Sequence, residues 1–427
     1  MARKMKDSGI EWIGEIPEGW EVSQLKYATR WKSEKGCPDA PVLSLYRDFG
    51  VVPKDSRDDN HNVTSLDTSN YKVVDIGDLV INKMKAWQGS MAVSDYRGIV
   101  SPAYHVCSIT SNKVNKRYLH HLLRNPAYLP EYARLSTGMR IGQWDLGFDD
   151  FKNIPFLIPP LDEQAKIADY LDNGCASLDA MLSKTRSSIE EYKKLKQAVI
   201  TQAVTKGVRG EREMKDSGVE WIGKIPREFD PVQLKFFCKL ITDGTHFSPT
   251  TVENGWPYIT AGDVHGIGLD YNSAKRISED DFQLLVAQGC QPLKGDVLLV
   301  KDGATTGRVG FVDSDTPCVI LSSVAMLRPA DKTDGHYLMY LLASDFLQKQ
   351  ILVSMAGSAM PRTTLTKLTK YIGLLPPLYE QKEISNYLDA KCAEIDGLIA
   401  KKEQLVKELE SYKKSLIYEV VTGKREV

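Results

Sequence analysis

The sequence predicts an α+β chain in which two globular domains are joined by two long helices forming an antiparallel coiled coil, arranged as a pseudo-two-fold internal repeat. Three observations predict it. Met5-Lys-Asp-Ser-Gly-Ile-Glu-Trp-Ile-Gly-Glu-Ile-Pro17 returns as Met214-Lys-Asp-Ser-Gly-Val-Glu-Trp-Ile-Gly-Lys-Ile-Pro226, an offset of 209 residues (214 − 5). Pro159-Pro-Leu-Asp-Glu-Gln164 returns as Pro376-Pro-Leu-Tyr-Glu-Gln381, an offset of 217 (376 − 159). After each Pro-Pro-Leu the apolar residues take up a long heptad rhythm. Self-similarity on this scale marks two copies of one unit, and it divides the chain into segments 1–158, 159–210, 211–375 and 376–427.

The segments at 20–157 and 230–374 read as mixed domains. Val42-Leu-Ser-Leu-Tyr46, Leu79-Val-Ile81, Tyr258-Ile-Thr260, Val297-Leu-Leu-Val300 and Val319-Ile-Leu321 are short β-branched and aromatic runs between Gly, Asp and Pro turns, and they predict strands. Short helices are predicted at Tyr118–Arg124 and His336–Leu347. The two middles have diverged. Only Ile76-Gly-Asp-Leu-Val-Ile81 still echoes Lys294-Gly-Asp-Val-Leu-Leu299. A kept frame with changed contents suits two recognition surfaces better than two copies of one active site.

A proline ahead of an acidic first turn is a helix-start signal. From there Ala168, Leu171, Cys175, Leu178, Leu182, Thr185, Ile189, Tyr192, Lys196, Val199 and Ala203 keep a 3-4 spacing. Ser385, Leu388, Cys392, Ile395, Ile399, Lys402, Val406, Leu409, Lys413, Leu416 and Val420 repeat it. An apolar seam over about five heptads predicts a coiled coil. Gly207 and Gly423 are the expected stops. Antiparallel pairing of the two helices returns the chain to a second domain most simply, with a rod of roughly 60 Å for about 40 residues.

Of the 427 residues, 42% are apolar and 26% charged, which excludes a disordered chain. The N-terminal stretch has no apolar signal-like core and no window is apolar enough to span a membrane, so a cytoplasmic location and no membrane partner are expected. Seven scattered cysteines without a C-x-x-C pair favour neither a disulfide framework nor a zinc site. The net charge of −1 leaves nucleic-acid binding open, because clustering matters more than the sum.

These motifs together resemble the specificity subunit of a Type I restriction-modification system over essentially the whole chain. The likeness rests on Ser8-Gly-Ile-Glu-Trp-Ile-Gly-Glu-Ile-Pro17 with Gly19-Trp20, on its echo at 217–226, and on the two Pro-Pro-Leu segments. Val42–Val51, Asn82–Gly89 and Gly98–Tyr104 are similar to one type of target recognition domain; Asp243-Gly-Thr-His246, Pro257-Tyr-Ile-Thr260 and Leu321-Ser-Ser323 are similar to another. Arg227-Glu-Phe-Asp230 departs from the pattern by lacking Gly-Trp, which puts the local turn in doubt. The resemblance implies a non-catalytic subunit that binds double-stranded DNA, docks two modification (methyltransferase) subunits and restriction subunits, and reads a bipartite asymmetric target whose gap the coiled coil sets. S-adenosylmethionine is expected on the partner methyltransferase and no cofactor on this chain.

DNA affinity needs cations, and readout needs donors at base edges. The candidates for contact are Asn82, Lys83, Lys85, Trp87 and Gln88; Arg140 and Gln143; Thr245 and His246; Lys301, Thr305, Thr306 and Arg308; and Arg362 with Thr363. Each group lies in a predicted loop rich in glycine or polar residues. Enzyme motifs are not met. Asn125-Pro-Ala-Tyr128 lacks the second proline of an amino-methyltransferase loop and reads as a turn. Gly303–Arg308 lacks a P-loop's spacing and lysine, and His120-His121 has no acid at metal spacing. Two other readings stand beside it: a stand-alone repressor-like or architectural DNA-binding protein, distinguished by tight specific binding without a methyltransferase partner, and a nuclease or methyltransferase by itself, distinguished by activity of the pure chain with Mg²⁺ or S-adenosylmethionine.

Overall fold

The computed structural model describes residues 3–47, 49–57, 64–138, 144–265, 268–355 and 361–427. Two compact units emerge: Met1–Arg186 with Gln404–Val427, and Ser187–Glu403. Each unit takes part of both long helices, so the division falls inside the helices at 186/187 and 403/404.

In the first unit a hairpin, Met5–Asp7 with Glu15–Pro17, leads to the strand Glu21–Gln24, which pairs with Pro155–Ile158. Between these lies a four-stranded antiparallel sheet in the order Thr29–Lys32, Tyr104–Ile109, Leu79–Asn82, Met91–Val93. The second unit repeats the plan. Met214–Asp216 pairs with Lys224–Pro226, Asp230–Gln233 pairs with Ile372–Leu375, and the sheet runs Cys238–Asp243, Val324–Pro329, Val297–Val300, Val309–Phe311. The faint echo between 76–81 and 294–299 therefore marks the same central strand in both sheets. Its aspartates close the same turn: Asp78 accepts from the Asp75 N–H at 2.9 Å and Asp296 from the Leu293 N–H at 2.8 Å. A basic side chain braces each, Lys32 at 3.0 Å and Arg328 at 2.8 Å. Trp20 and Phe229 are both fully buried, and their N–H groups bond back to Pro17 and Pro226. The doubt over Arg227–Asp230 is thus resolved: phenylalanine fills the tryptophan's place and the turn survives.

What differs is inserted around this frame. The first unit adds the hairpin Leu43–Tyr46/Gly50–Pro53 and the pair Lys72–Val74/Gly98–Val100. The second adds a mixed sheet, Thr251–Val252, Lys275–Ile277, Trp256–Ile259, Val319–Ile320, and the helix Glu279–Ala287. Each insertion has its own small apolar cluster, around Val74 and Val100 in one and Tyr258 and Phe282 in the other.

The long helices run Leu161–Lys206 and Leu378–Val421, 46 and 44 residues, or about 65–70 Å each at roughly 1.5 Å per residue. Gly207 and Gly423 end them with φ +72°, a conformation that disfavours a side chain. Pairing within each unit is antiparallel. In the first, Asp179 meets Lys413 at 2.6 Å while Arg186 meets Glu410 at 2.5 Å. In the second, Tyr192 lies under Lys402 and Lys196 meets Asp396 at 2.6 Å. Leu171, Leu178, Leu388, Leu416 and Val420 of the predicted seam are buried; Thr185, Tyr192, Lys402 and Lys413 are half-buried, as two-stranded packing allows.

The joint between each globular part and its long helix is built from the repeated Pro-Pro-Leu-x-Glu-Gln segment. Gln164, fully buried, accepts from the Asn115 N–H at 2.8 Å and donates to the Lys113 and Pro159 carbonyls. Gln381 does the same with Asp334 N–H and the Lys332 and Pro376 carbonyls. The helices thus anchored are Lys116–Leu123 and Gly335–Ala343. The single helix predicted at His336–Leu347 is two, because Ser344 takes extended angles, bonds back to the Leu341 carbonyl and starts Asp345–Ser354. Each also meets the long helix through an acid: Asp172 takes His121 at 2.6 Å and Asp389 takes the Tyr340 hydroxyl at 2.7 Å.

Candidate nucleic-acid interface

In both units the chain leaves the central strand through a loop of the same length and geometry. The echo found in sequence extends further than the strand: Gly77-Asp78 through Lys83, Ala86 and Gly89 matches Gly295-Asp296 through Lys301, Ala304 and Gly307 at an offset of 218 (295 − 77). Gly89 and Gly307 close the loops with φ +79° and +97°, where L-residues are strained. The lysines hold equivalent backbone positions. Lys83 bonds Ala103 O and receives Leu146 N–H; Lys301 bonds Ser323 O and receives Thr363 N–H. One frame presents two different sets of side chains.

In the first unit Lys85 stands exposed, while Asn82, Lys83, Trp87 and Gln88 are half-buried. Lys83 meets Asp145 at 3.3 Å and the Trp87 ring lies 5.2 Å from Trp144. The loop 82–88 therefore adjoins the segment that carries the second sequence candidate, although Arg140 and Gln143 themselves lie outside the described residues. Next to it are side chains the sequence did not single out. Trp31, half-exposed on the strand Thr29–Lys32, packs on His105 and Phe148, and the Lys72 ammonium lies 5.9 Å from its ring. Burial, with Lys72 and Lys83 nearby, lowers the His105 pKa.

In the second unit three candidate groups converge. Asp302 pairs with Arg362 at 2.9 Å, and the two form a backbone bridge. Thr306 Oγ donates to Gly303 O, and Gly303 N–H donates to Pro361 O. Thr245 bridges to Leu321, which joins the Asp243–His246 turn to the Leu321–Ser323 segment. At the surface stand His246, Arg308 and Arg362, with Phe247 half-exposed beside them. Thr305 and Thr306 are half-buried.

Three expected contact residues sit beneath this surface instead. Lys301 is 3% exposed, with its ammonium between Asp302 at 2.8 Å and Asp243 at 3.3 Å. Thr363 is fully buried and shares a 2.6 Å hydrogen bond with the Tyr371 hydroxyl; Thr245 is buried and accepts the Phe247 N–H. These side chains are held inward by partners elsewhere in the chain, Asp243 for Lys301, Tyr371 for Thr363 and the Leu321 bridge for Thr245, and loop composition alone could not reveal that. They support the surface: Lys301 fixes Asp302, and Asp302 fixes Arg362.

The rejected enzyme motifs have structural roles. Asn125 caps the turn Pro126–Tyr128. His120 is half-buried, accepts the Val93 N–H and is pushed down to a pKa of about 3, chiefly by desolvation. Among the described residues no cluster of three His, Cys, Asp or Glu side chains forms a metal site, and no helix is long and apolar enough to cross a membrane.

Comparison with known proteins gives a concordant result. The model of the Type I restriction modification DNA specificity domain matches twice, at residues 17–191 and 226–408. Two relatives from Methanocaldococcus jannaschii are similar along their length. The Type I restriction enzyme MjaVIII specificity subunit is 28% identical over 96% of this chain and 93% of its own; the putative MjaX specificity subunit is 24% identical over 96% and 95%. A chain solved in work on complex assembly and conformational transition of the type I R-M system superposes with TM-score 0.72 at 17% identity, covering 96% of this chain and 99% of that one. The HsdS subunit from Thermoanaerobacter tengcongensis does so with TM-score 0.52 at 18% identity, covering 96% and 98%.

Proposed function

The chain belongs to the Type I restriction modification DNA specificity family, and from that premise we propose how its parts divide the work. It is the DNA-specificity subunit of a Type I restriction-modification complex, and it binds DNA together with modification and restriction subunits. It is not itself an enzyme: methylation and cleavage lie in the partners, and S-adenosylmethionine belongs to the modification subunit. Each mixed domain reads one half of a bipartite, asymmetric target. The loop after the central strand, 82–88 in one unit and 301–308 in the other, carries the contacts, together with His246 and Arg362. The paired helices hold the two readings at a fixed spacing. The complex works in the cytoplasm, where the DNA is.

One observation carries the reading: a matched loop on a matched sheet carries Lys-Met-Lys-Ala-Trp-Gln in one unit and, after the buried Lys301, Asp-Gly-Ala-Thr-Thr in the other. Equal frames with unequal donors specify unequal base sequences.

The spacing role is tested by inserting one heptad into each helix at the level of the Lys196–Asp396 pair. Seven residues add about 10 Å of helix, or about three base pairs at roughly 3.4 Å each. The methylated target of the complex gains about three unread base pairs between unchanged half-sites. An unchanged gap, or altered half-sites, refutes the spacing role.

A further inference from the structure

The first unit holds a cation without an anion. Lys72 begins the strand Lys72–Val74, is only 8% exposed, and places its ammonium 2.6 Å from the Tyr104 carbonyl. That bond uses one of three N–H donors. Among the described residues Lys72 has no ion pair, whereas Lys32 and Lys301, similarly buried, each have at least two. Burial lowers its pKa first, and the charges of Lys83 and Lys35 push it the same way, with Cys107 opposing them. Beside it, His105 gives Nε2 to the Leu146 carbonyl and leaves Nδ1 buried with no partner. A buried cation with spare donors and like-charged neighbours is unfavourable unless an anion arrives. The site adjoins the 82–88 loop, since Ala103, whose carbonyl takes the Lys83 N–H, directly precedes Tyr104.

We propose that Lys72, flanked by Lys83 and Lys35, is a binding site for one phosphate of the DNA backbone, and that it fixes the first domain's register on the duplex. The proposal rests on the DNA-reading role given above. A phosphodiester carries the missing charge and accepts the free N–H groups, and a phosphate contact positions a domain without reading sequence. The cluster therefore serves whichever bases the neighbouring loop selects. The Trp31 ring covers one side of the ammonium, 5.9 Å away.

The test uses the full chain in complex with its modification subunit, a duplex carrying the methylated target, and Lys72→Met. Removing one phosphate contact lowers the slope of log affinity against log salt by about 0.9 and weakens binding several-fold at low salt. The variant's Tm without DNA rises, because an uncompensated buried cation has gone. A single neutral methylphosphonate in the first half-site weakens wild-type binding and leaves Lys72→Met unaffected. An unchanged salt slope, or a Tm that falls, makes Lys72 a structural lysine and overturns the phosphate site. If the wild-type complex shows no half-site that depends on residues 20–157, the DNA-reading role fails and takes the proposal with it. Wild-type specificity with an unchanged Lys72→Met slope refutes the phosphate site alone.

Discussion

Gln164→Leu replaces a buried amide with a side chain of nearly the same volume and strips three backbone groups of their side-chain partner: the buried Pro159 carbonyl and the part-buried Asn115 N–H and Lys113 carbonyl. The buried carbonyl costs about 1–3 kcal/mol, and the two part-buried groups cost less because water can reach them. Local relaxation and the gain from a buried leucine offset part of this, so a net loss of about 2–3 kcal/mol is expected. For a unit of this size 1 kcal/mol moves Tm by roughly 2–4 °C, so the first unit should melt about 5–10 °C lower. Gln381→Leu strips the Asp334 N–H and the Lys332 and Pro376 carbonyls and should lower the second unit's transition by a similar amount. Differential scanning calorimetry of each variant reads both. A loss under about 1 kcal/mol, or lost assembly with partner subunits at an unchanged Tm, would refute the argument that these glutamines are internal clamps.

Two further substitutions probe the reading surface and its support. Arg362→Ala removes an exposed guanidinium that Asp302 orients and should cost about 1–3 kcal/mol of binding; binding to a library of target variants should show one relaxed base in one half-site, and uniform weakening across all positions would contradict a reading role. Asp172 is held down to a pKa of about 2, first by the His121 hydrogen bond and then by Arg117. Its folded value lies below the unfolded one, so its contribution is present above about pH 4 and is lost as the pH falls from about 4 through 2. Asp172→Asn should flatten the stability curve in that window by under about 1 kcal/mol, because the pair is partly solvent-screened; an unchanged acid limb in chemical denaturation would deny the interaction.

Much of the fold was legible because duplication supplies its own comparison. The two Pro-Pro-Leu segments, the heptad rhythm and the glycine stops located both long helices, which run Leu161–Lys206 and Leu378–Val421. The strand runs were found to within a residue or two: Val297–Val300 as expected, and Leu43–Tyr46 against Val42–Tyr46. The break at Ser344 was missed because a serine within an apolar helical rhythm does not announce that its backbone will turn extended. The candidate surface was legible as loops but not as sides of loops. Lys301, Thr245 and Thr363 have the chemistry of DNA contacts and are buried, and which side they take is set by partners elsewhere in the chain. Lys72 was missed for the opposite reason. It sits in the apolar strand run Lys72–Val74, where a lysine reads as an edge residue until its lack of an acid partner is seen.

If the domains divide the work, each mixed domain reads its own half of a split target. This is tested most directly by replacing residues 20–157 with the corresponding domain of a relative that has a different specificity. Chimera and modification subunit are then expressed together, and the methylated motif is sequenced genome-wide. One half-site should change to the donor's while the other half-site and the gap between them stay as they were. A motif changed in both halves, or in neither, would contradict it.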